Sequence, residues 1–184
     1  MPHATTPDGV KLYYEEAGSG TPILFVHEYS GDWRSWEPQM RFFSRKHRCV
    51  TYSFRGYPGS DVPDRAAMYG QKHAVDDARH MLDHLKIAKA HIVGLSQGAF
   101  ATAHFGRQYT DRALSLTLAG VGSGAGLAMF AKSGHTVNIE EPDAFNRELW
   151  NFIALAEAGK WTPGHAMARA QPDLTSRAGP SRRG

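Results

Sequence analysis

The chain has 184 residues, 41% of them hydrophobic and 21% charged, which suits one soluble domain with a proper core and is too short for two ordinary ones. A formal net charge of +3, with basic residues scattered until the end of the chain, argues against a nucleic-acid-binding surface. No basic-then-apolar leader and no apolar run of membrane-spanning length stands in the sequence, so a cytoplasmic protein without membrane contact is expected.

In chain order, Val10 to Glu16 alternates loosely and stops at Gly18-Ser19-Gly20, a strand followed by a turn. Pro22 to His27 is a continuous apolar run, the pattern of a central strand buried on both faces. A helix is predicted from about Trp36 to Ser44, because Trp36, Met40 and Phe43 share one face. Cys49 to Ser53 gives another strand, leading into the loop Arg55-Gly56-Tyr57-Pro58-Gly59-Ser60-Asp61. His73 to Lys86 carries Val75, Ala78, Met81, Leu82 and Leu85 at helical spacing. A short strand at Ala90–Val93, a helix from about Ala99 to Gly106 and a strand at Ala113–Ala119 follow. Buried strands alternating with helices mean an α/β fold with a mostly parallel sheet and helices on both faces. Cys49 lies in an apolar strand; as the single cysteine it makes no intrachain disulfide and reads as a buried structural thiol.

After Gly120 the pattern changes. Val121–Gly126 is a glycine-rich loop, Leu127–Lys132 is helix-like, and Pro142 to Ala158 is a stronger helix with Phe145, Leu149, Phe152, Ile153 and Ala156 recurring every three or four residues. From Trp161 to Gly184 there are almost no large apolar side chains, so this tail is expected to be disordered.

The pentapeptide Gly94-Leu95-Ser96-Gln97-Gly98 sits where the strand at 90–93 turns into the next helix. A serine at so sharp a corner needs small residues two positions away on each side, and the strain holds its hydroxyl out over the sheet edge. With His27 after an apolar strand and the Arg55–Ser60 loop, this motif completes three landmarks in the order found in the α/β-hydrolase family. Over residues 8 to 124, and up to about 160, the chain resembles the capped bacterial serine hydrolases: esterases, carbon–carbon bond hydrolases and haloperoxidase-like enzymes without cofactor.

The resemblance implies an N-terminal part of the hydrolase core at 1–124, the start of a helical cap at 125–160, and the tail at 161–184. It implies Ser96 as the nucleophile that attacks a carbonyl of a small-molecule ester, or a related acyl or carbon–carbon bond, through an acyl-enzyme. Gln97 and Tyr29 would supply the two backbone N–H groups of an oxyanion hole, with Gly94 and Gly98 as the elbow glycines. A serine there also argues against epoxide and haloalkane hydrolases, which by family pattern place a carboxylate at this position. One departure is plain: the family has His-Gly after the first buried strand, and this chain has His27-Glu28. Glycine tolerates backbone conformations that Glu28 does not, and a carboxylate beside a developing oxyanion needs a partner, for which Arg34 and Arg55 are candidates.

Other residues read structurally. His27 is expected to organise its loop rather than act as base, and Arg55 and Asp61 to tie down theirs. Trp33 and Trp36 fit core or pocket wall. Phe130, Phe145 and Trp150 fit packing or a cap lining. The ten histidines are scattered without metal-ligand spacing, so no metal and no cofactor is expected.

The acid and base of a triad should follow Ser96 in the order acid, then His. No later apolar run suits the strands that carry them; His135 precedes every plausible acid, and His165 lies in the tail. Glu140, Glu141 and Asp143 cluster at a helix start, where carboxylates stabilise without catalytic work. The chain therefore reads as the N-terminal portion of a longer hydrolase. The alternative to a working enzyme is an inactive truncated hydrolase or a binding module that keeps the pocket. In either case the strand at 113–119 would be an uncovered apolar edge, open to self-association.

Overall fold

The structure is a computed structural model that describes residues 2–120 and 135–160. The loop at 121–126, the helix-like stretch at 127–132, the boundary expected at 124/125 and the tail at 161–184 lie outside the described residues.

Six strands form one mixed sheet: β1 (His3–Thr5), β2 (Lys11–Ala17), β3 (Pro22–Val26), β4 (Arg48–Tyr52), β5 (Ala90–Leu95) and β6 (Ala113–Ala119), in the order β1-β2-β4-β3-β5-β6. β1–β2 and β2–β4 are antiparallel, whereas β4, β3, β5 and β6 run parallel. The helices are α1 (Glu37–Phe43), α2 (Gln71–His84), α3 (Gln97–Gln108), α4 (Val137–Glu140) and α5 (Pro142–Glu157). A 3-10 turn at Trp33–Trp36 precedes α1, and Asp32 caps it by accepting from the Arg34 N–H.

The strand period of two explains why the central strands are apolar throughout. Leu24, Val26, Val50, Tyr52 and Ile92 face one layer, where Val75, Ala78, Met81 and Leu82 of α2 and Ala101 and Phe105 of α3 complete the core. Ile23, Phe25, Cys49, Val93 and Leu95 face the other, against Met40 and Phe43 of α1 and Phe145, Leu149 and Ile153 of α5. Cys49 is fully buried, and burial pushes its thiol up to about 12. Trp36 is buried against Phe25, and Phe145 and Trp150 pack on Trp36 and Phe43, so these three rings belong to the layer rather than to a pocket wall. Trp33 donates from its indole N–H to Glu15 and packs edge-on against Tyr13. Phe130 lies outside the described residues.

Among the described residues no helix is long and apolar enough to cross a membrane, and no group of three or more His, Cys, Asp or Glu is placed to hold a metal ion.

Candidate functional site

The crossovers decide where a site can form. β3 is followed by α1 on one face of the sheet, and its neighbour β5 is followed by α3 on the other. The chain therefore leaves these adjacent strands in opposite directions, and a crevice opens beyond their carboxyl ends. Register pairs Val26 with Gly94 and Leu95 with Ala119, which sets the turn at Glu28–Tyr29 opposite Ser96–Gln97.

Ser96 occupies that corner with φ 50° and ψ −112°. Among the described residues only Ser96 and Lys86 have positive φ without being glycine. Such a conformation costs about 1–3 kcal/mol and persists only where its surroundings enforce it. Here the Ser96 N–H donates to the Ala119 carbonyl at 2.8 Å, and the Ser96 carbonyl accepts from Ala99 and Phe100, so the residue is pinned from both sides.

The two glycines of the motif are required by close approach, each against a different neighbour. A Cβ on Gly98 would lie 2.1 Å from the Val26 carbonyl oxygen and 2.6 Å from that of His27, both at the end of β3. One on Gly94 would lie 2.3 Å from the Gly98 oxygen and 2.4 Å from Thr102 Oγ1, so Gly94 makes room for α3 rather than for a neighbouring strand.

His27 is fully buried and engaged at both ring nitrogens. The Phe54 N–H can only donate, so Nε2, 3.0 Å away, is the acceptor and the proton sits on Nδ1, which donates to the Glu28 carbonyl at 2.6 Å. Burial pushes its pKa down to about 4, against a smaller pull from that carbonyl. A neutral imidazole with both nitrogens occupied holds two loops together and has no lone pair left for Ser96.

This clamp has a consequence for Tyr29. The Glu28 carbonyl accepts from His27 and from the Gly31 N–H at 3.3 Å, which fixes the plane of the Glu28–Tyr29 peptide. The peptide is trans, so the Tyr29 N–H points away from the turn. It makes no hydrogen bond to another described residue, and neither does the Gln97 N–H, the first donor of α3 at the positive end of its dipole.

Glu28 does not find the partner expected of it. Arg34 forms its ion pair with Asp32, and Arg55 with Asp77 and Asp8. The Glu28 side chain instead folds back into its own turn, where Ser35 Oγ donates to Oε1 at 2.9 Å and Oε2 is buried without a partner among the described residues. Gly31 makes the space, since a Cβ there would lie 2.1 Å from Oε1. Glu28 also avoids positive φ, so the turn needs no glycine at this position.

Arg55 is the hub of its loop. Its guanidinium donates to both oxygens of Asp77 at 2.8 and 2.6 Å, to Asp8 at 2.8 Å and to the Met68 carbonyl at 3.0 Å. Burial disfavours the charged guanidinium, but the two carboxylates outweigh it and raise its pKa; Arg55 in turn holds Asp8 down at about 2. Asp61 ties the same loop to β2 through the Lys11 N–H at 2.8 Å. Asp8 and Asp77 carry no local sequence signal, since their partner is 47 and 22 residues away.

A cleft of about 470 Å³ adjoins Gln97, with Tyr29, Phe54, Tyr57 and Tyr69 among its walls. No imidazole or carboxylate among the described residues hydrogen-bonds the Ser96 hydroxyl. His135 stands beside Gly120 at the end of β6, with its Cε1 3.4 Å from the position of a Gly120 Cβ. His165 is outside the described residues.

Strained serine, paired glycines and a crevice at the sheet's switch point define an α/β-hydrolase architecture. The chain belongs to the alpha/beta hydrolase fold family, whose model matches residues 21–152. Epoxide hydrolase 1 of Caenorhabditis elegans is 34% identical over 104 residues, 55% of this chain and 26% of its own length. Among solved structures, a product-bound epoxide hydrolase from Bacillus megaterium matches with a TM-score of 0.60 and 26% identity, over 62% of this chain and 40% of its own. A thermophilic esterase from Thermogutta terrifontis matches with a TM-score of 0.58 and 28% identity, over 62% of this chain and 43% of its own. This chain thus spans less than half the length of each of these relatives.

Proposed function

We propose that the chain carries the nucleophile and oxyanion half of a serine hydrolase acting on an ester or a related acyl or carbon–carbon bond. The observation that carries this reading is Ser96, held at φ 50° at the corner before α3, with neither the Gln97 N–H nor the Tyr29 N–H bonded to another described residue. Ser96 Oγ would attack the carbonyl carbon, its proton leaving to a base, and the oxygen would take up charge between the two N–H groups. Collapse to the acyl-enzyme expels the leaving group, and water then reverses the sequence.

Chemistry separates this from epoxide opening, despite the names of two relatives. A serine oxygen that opened an epoxide would leave an ether, with no carbonyl for water to attack, and the enzyme would stay alkylated. A serine oxygen acylated by an ester can be released through a second oxyanion.

A second reading is a chain that keeps the fold and cleft without turnover. It is favoured by the want of any hydrogen-bonded base at Ser96 among the described residues. Incubation with a fluorophosphonate probe and with p-nitrophenyl acetate, alongside Ser96→Ala, decides between the two. Labelling of Ser96 with turnover that vanishes in the variant is the expected result. An unlabelled protein would favour the second reading.

A further inference from the structure

The cleft beside Gln97 has a chemical character that the nucleophile does not dictate. We propose that it is an aryl subsite, which takes the flat, uncharged aromatic part of the substrate; what is cleaved there rests on the serine-hydrolase reading, but occupancy of the cleft does not.

Aromatic rings make up its walls, and all but one are fixed by the protein itself. Tyr57 packs edge-on to His27 at 4.8 Å and tilted to Phe54 at 6.2 Å, while its hydroxyl reaches Gln97 Oε1 at 3.4 Å. Phe54 is held in turn against His27 at 4.6 Å. Tyr69 donates its hydroxyl to the Pro63 carbonyl at 2.6 Å. The Tyr69 ring lies against Gly56, where a Cβ would come within 2.7 Å of Cε1; glycine at φ 85° lets a flat ring rest on bare backbone. These are pre-set planar surfaces, and planar ligands stack on or meet ring edges at low entropic cost.

Among the described residues, the side chains around the cleft supply no counter-charge for an anionic occupant. Arg55 borders the cleft, but its guanidinium is committed to Asp77, Asp8 and Met68, and its side chain is only 5% exposed. Tyr57 and Tyr69 direct their hydroxyls to protein acceptors. No free ammonium, guanidinium or carboxylate among the described residues faces a ligand there. A volume of about 470 Å³ suits a one- or two-ring group. Tyr29 is the exception among the rings: it is 75% exposed on the turn that carries the unpaired N–H, placed to cover a ligand from the solvent side.

The test uses the full chain with Ser96→Ala, which binds without turnover, titrated with methyl benzoate, methyl cyclohexanecarboxylate and benzoate and followed by ligand-observed NMR. Methyl benzoate is expected to bind ~5- to 10-fold more tightly than its alicyclic analogue, the range of one or two aromatic contacts, and more tightly than the benzoate anion. Adding Tyr29→Ala, at an exposed position that leaves the core intact, should weaken methyl benzoate by about 3- to 5-fold. Equal affinity for the aryl and alicyclic esters, or preference for the anion, would overturn the proposal. So would aryl binding unmoved by both Tyr29→Ala and Tyr69→Leu. Fluorophosphonate labelling of the unmodified chain reports on Ser96 separately. Aryl preference without labelling keeps the subsite and removes the hydrolase reading, and labelling without aryl preference does the reverse.

Discussion

Gly98→Ala tests the physical basis of the elbow. Gly98 does not have positive φ, so its substitution carries no left-handed penalty, and the whole cost is contact. The added methyl would lie 2.1 Å from the Val26 oxygen, 2.6 Å from the His27 oxygen and 2.7 Å from the Val26 carbonyl carbon, all of them backbone. Comfortable carbon contacts begin near 3.5 Å, so the helix and strand must part by about 1 Å. β3 cannot yield, because Val26 is paired with Tyr52 on one side and Gly94 on the other. α3 must move instead, against the packing of Ala101 and Phe105. Overfilling of this kind costs ~1–3 kcal/mol, and a collision with two carbonyls belongs at the upper end. For a chain of this size ~3 kcal/mol lowers Tm by roughly 6–12 °C.

The matching control is Gly9→Ala. Gly9 has φ 87° with no atom within 4 Å of a Cβ, so that variant isolates backbone strain, worth ~1–2 kcal/mol. Urea denaturation of the three proteins measures the stability terms. Because α3 carries the Gln97 N–H, a 1 Å shift should also slow fluorophosphonate labelling of Ser96 by ~100-fold in Gly98→Ala and leave it unchanged in Gly9→Ala. A Gly98→Ala variant within 0.5 kcal/mol (about half the smallest expected effect) of the parent, or one less destabilised than Gly9→Ala, would refute the steric argument.

Other predictions rest on buried groups and on the sheet edge. Arg55→Leu strands the fully buried Asp77 carboxylate and should cost ~3–5 kcal/mol, whereas Arg55→Leu with Asp77→Leu should recover part of that loss; urea titrations in which the double variant is no more stable than the single would count against it. His27 has a folded pKa of about 4 against an ordinary ~6.5, so the unfolded chain binds the extra proton between those values. Its contribution is complete above pH 6.5 and declines by ~3 kcal/mol on descending to pH 4, a slope that should be shallower in His27→Gln; NMR titration of the His27 ring near its ordinary value would contradict this. Cys49, buried and with its thiol pushed up to about 12, should react with Ellman's reagent only at the rate of unfolding, and prompt reaction of the native protein would be inconsistent with its placement. We propose that β6 associates with a second copy through its outer edge, since Ala113–Ala119 holds no charge and no proline and exposes Leu114 and Leu118; Leu118→Lys should reduce association in sedimentation velocity, and a parent that sediments as a monomer at every concentration would exclude it.

The residues that were legible in sequence are those whose reasons are local or periodic. The run Pro22–Val26 must be buried on both faces, and any other placement would leave Ile23, Leu24, Phe25 or Val26 in water. The spacing of Gly94, Ser96 and Gly98 encodes a corner, because the contacts that demand glycine arise within the motif and at the strand beside it. β1 left no such trace: it has three residues, and only Ala4 turns inward. Its antiparallel pairing with β2, and that of β2 with β4, form the antiparallel margin of a sheet that is otherwise parallel, as expected of a mostly parallel sheet. Ion pairing was the least legible layer. Glu28 offered two arginines on paper, yet Arg34 lies two residues from Asp32 and closes on it, while Arg55 is drawn to Asp8 and Asp77 by a loop that folds over α2. A charge can satisfy any opposite charge that the fold brings within about 4 Å, so partner choice follows from topology and not from composition. The loop-organising part expected of His27 has the same kind of origin in the fold. Its role is set by one donor, the Phe54 N–H, and one acceptor, the Glu28 carbonyl, neither of which depends on a side chain. What holds the Tyr29 N–H outward is therefore backbone geometry, and a side chain as unlike glycine as Glu28 can stand beside it without closing the crevice.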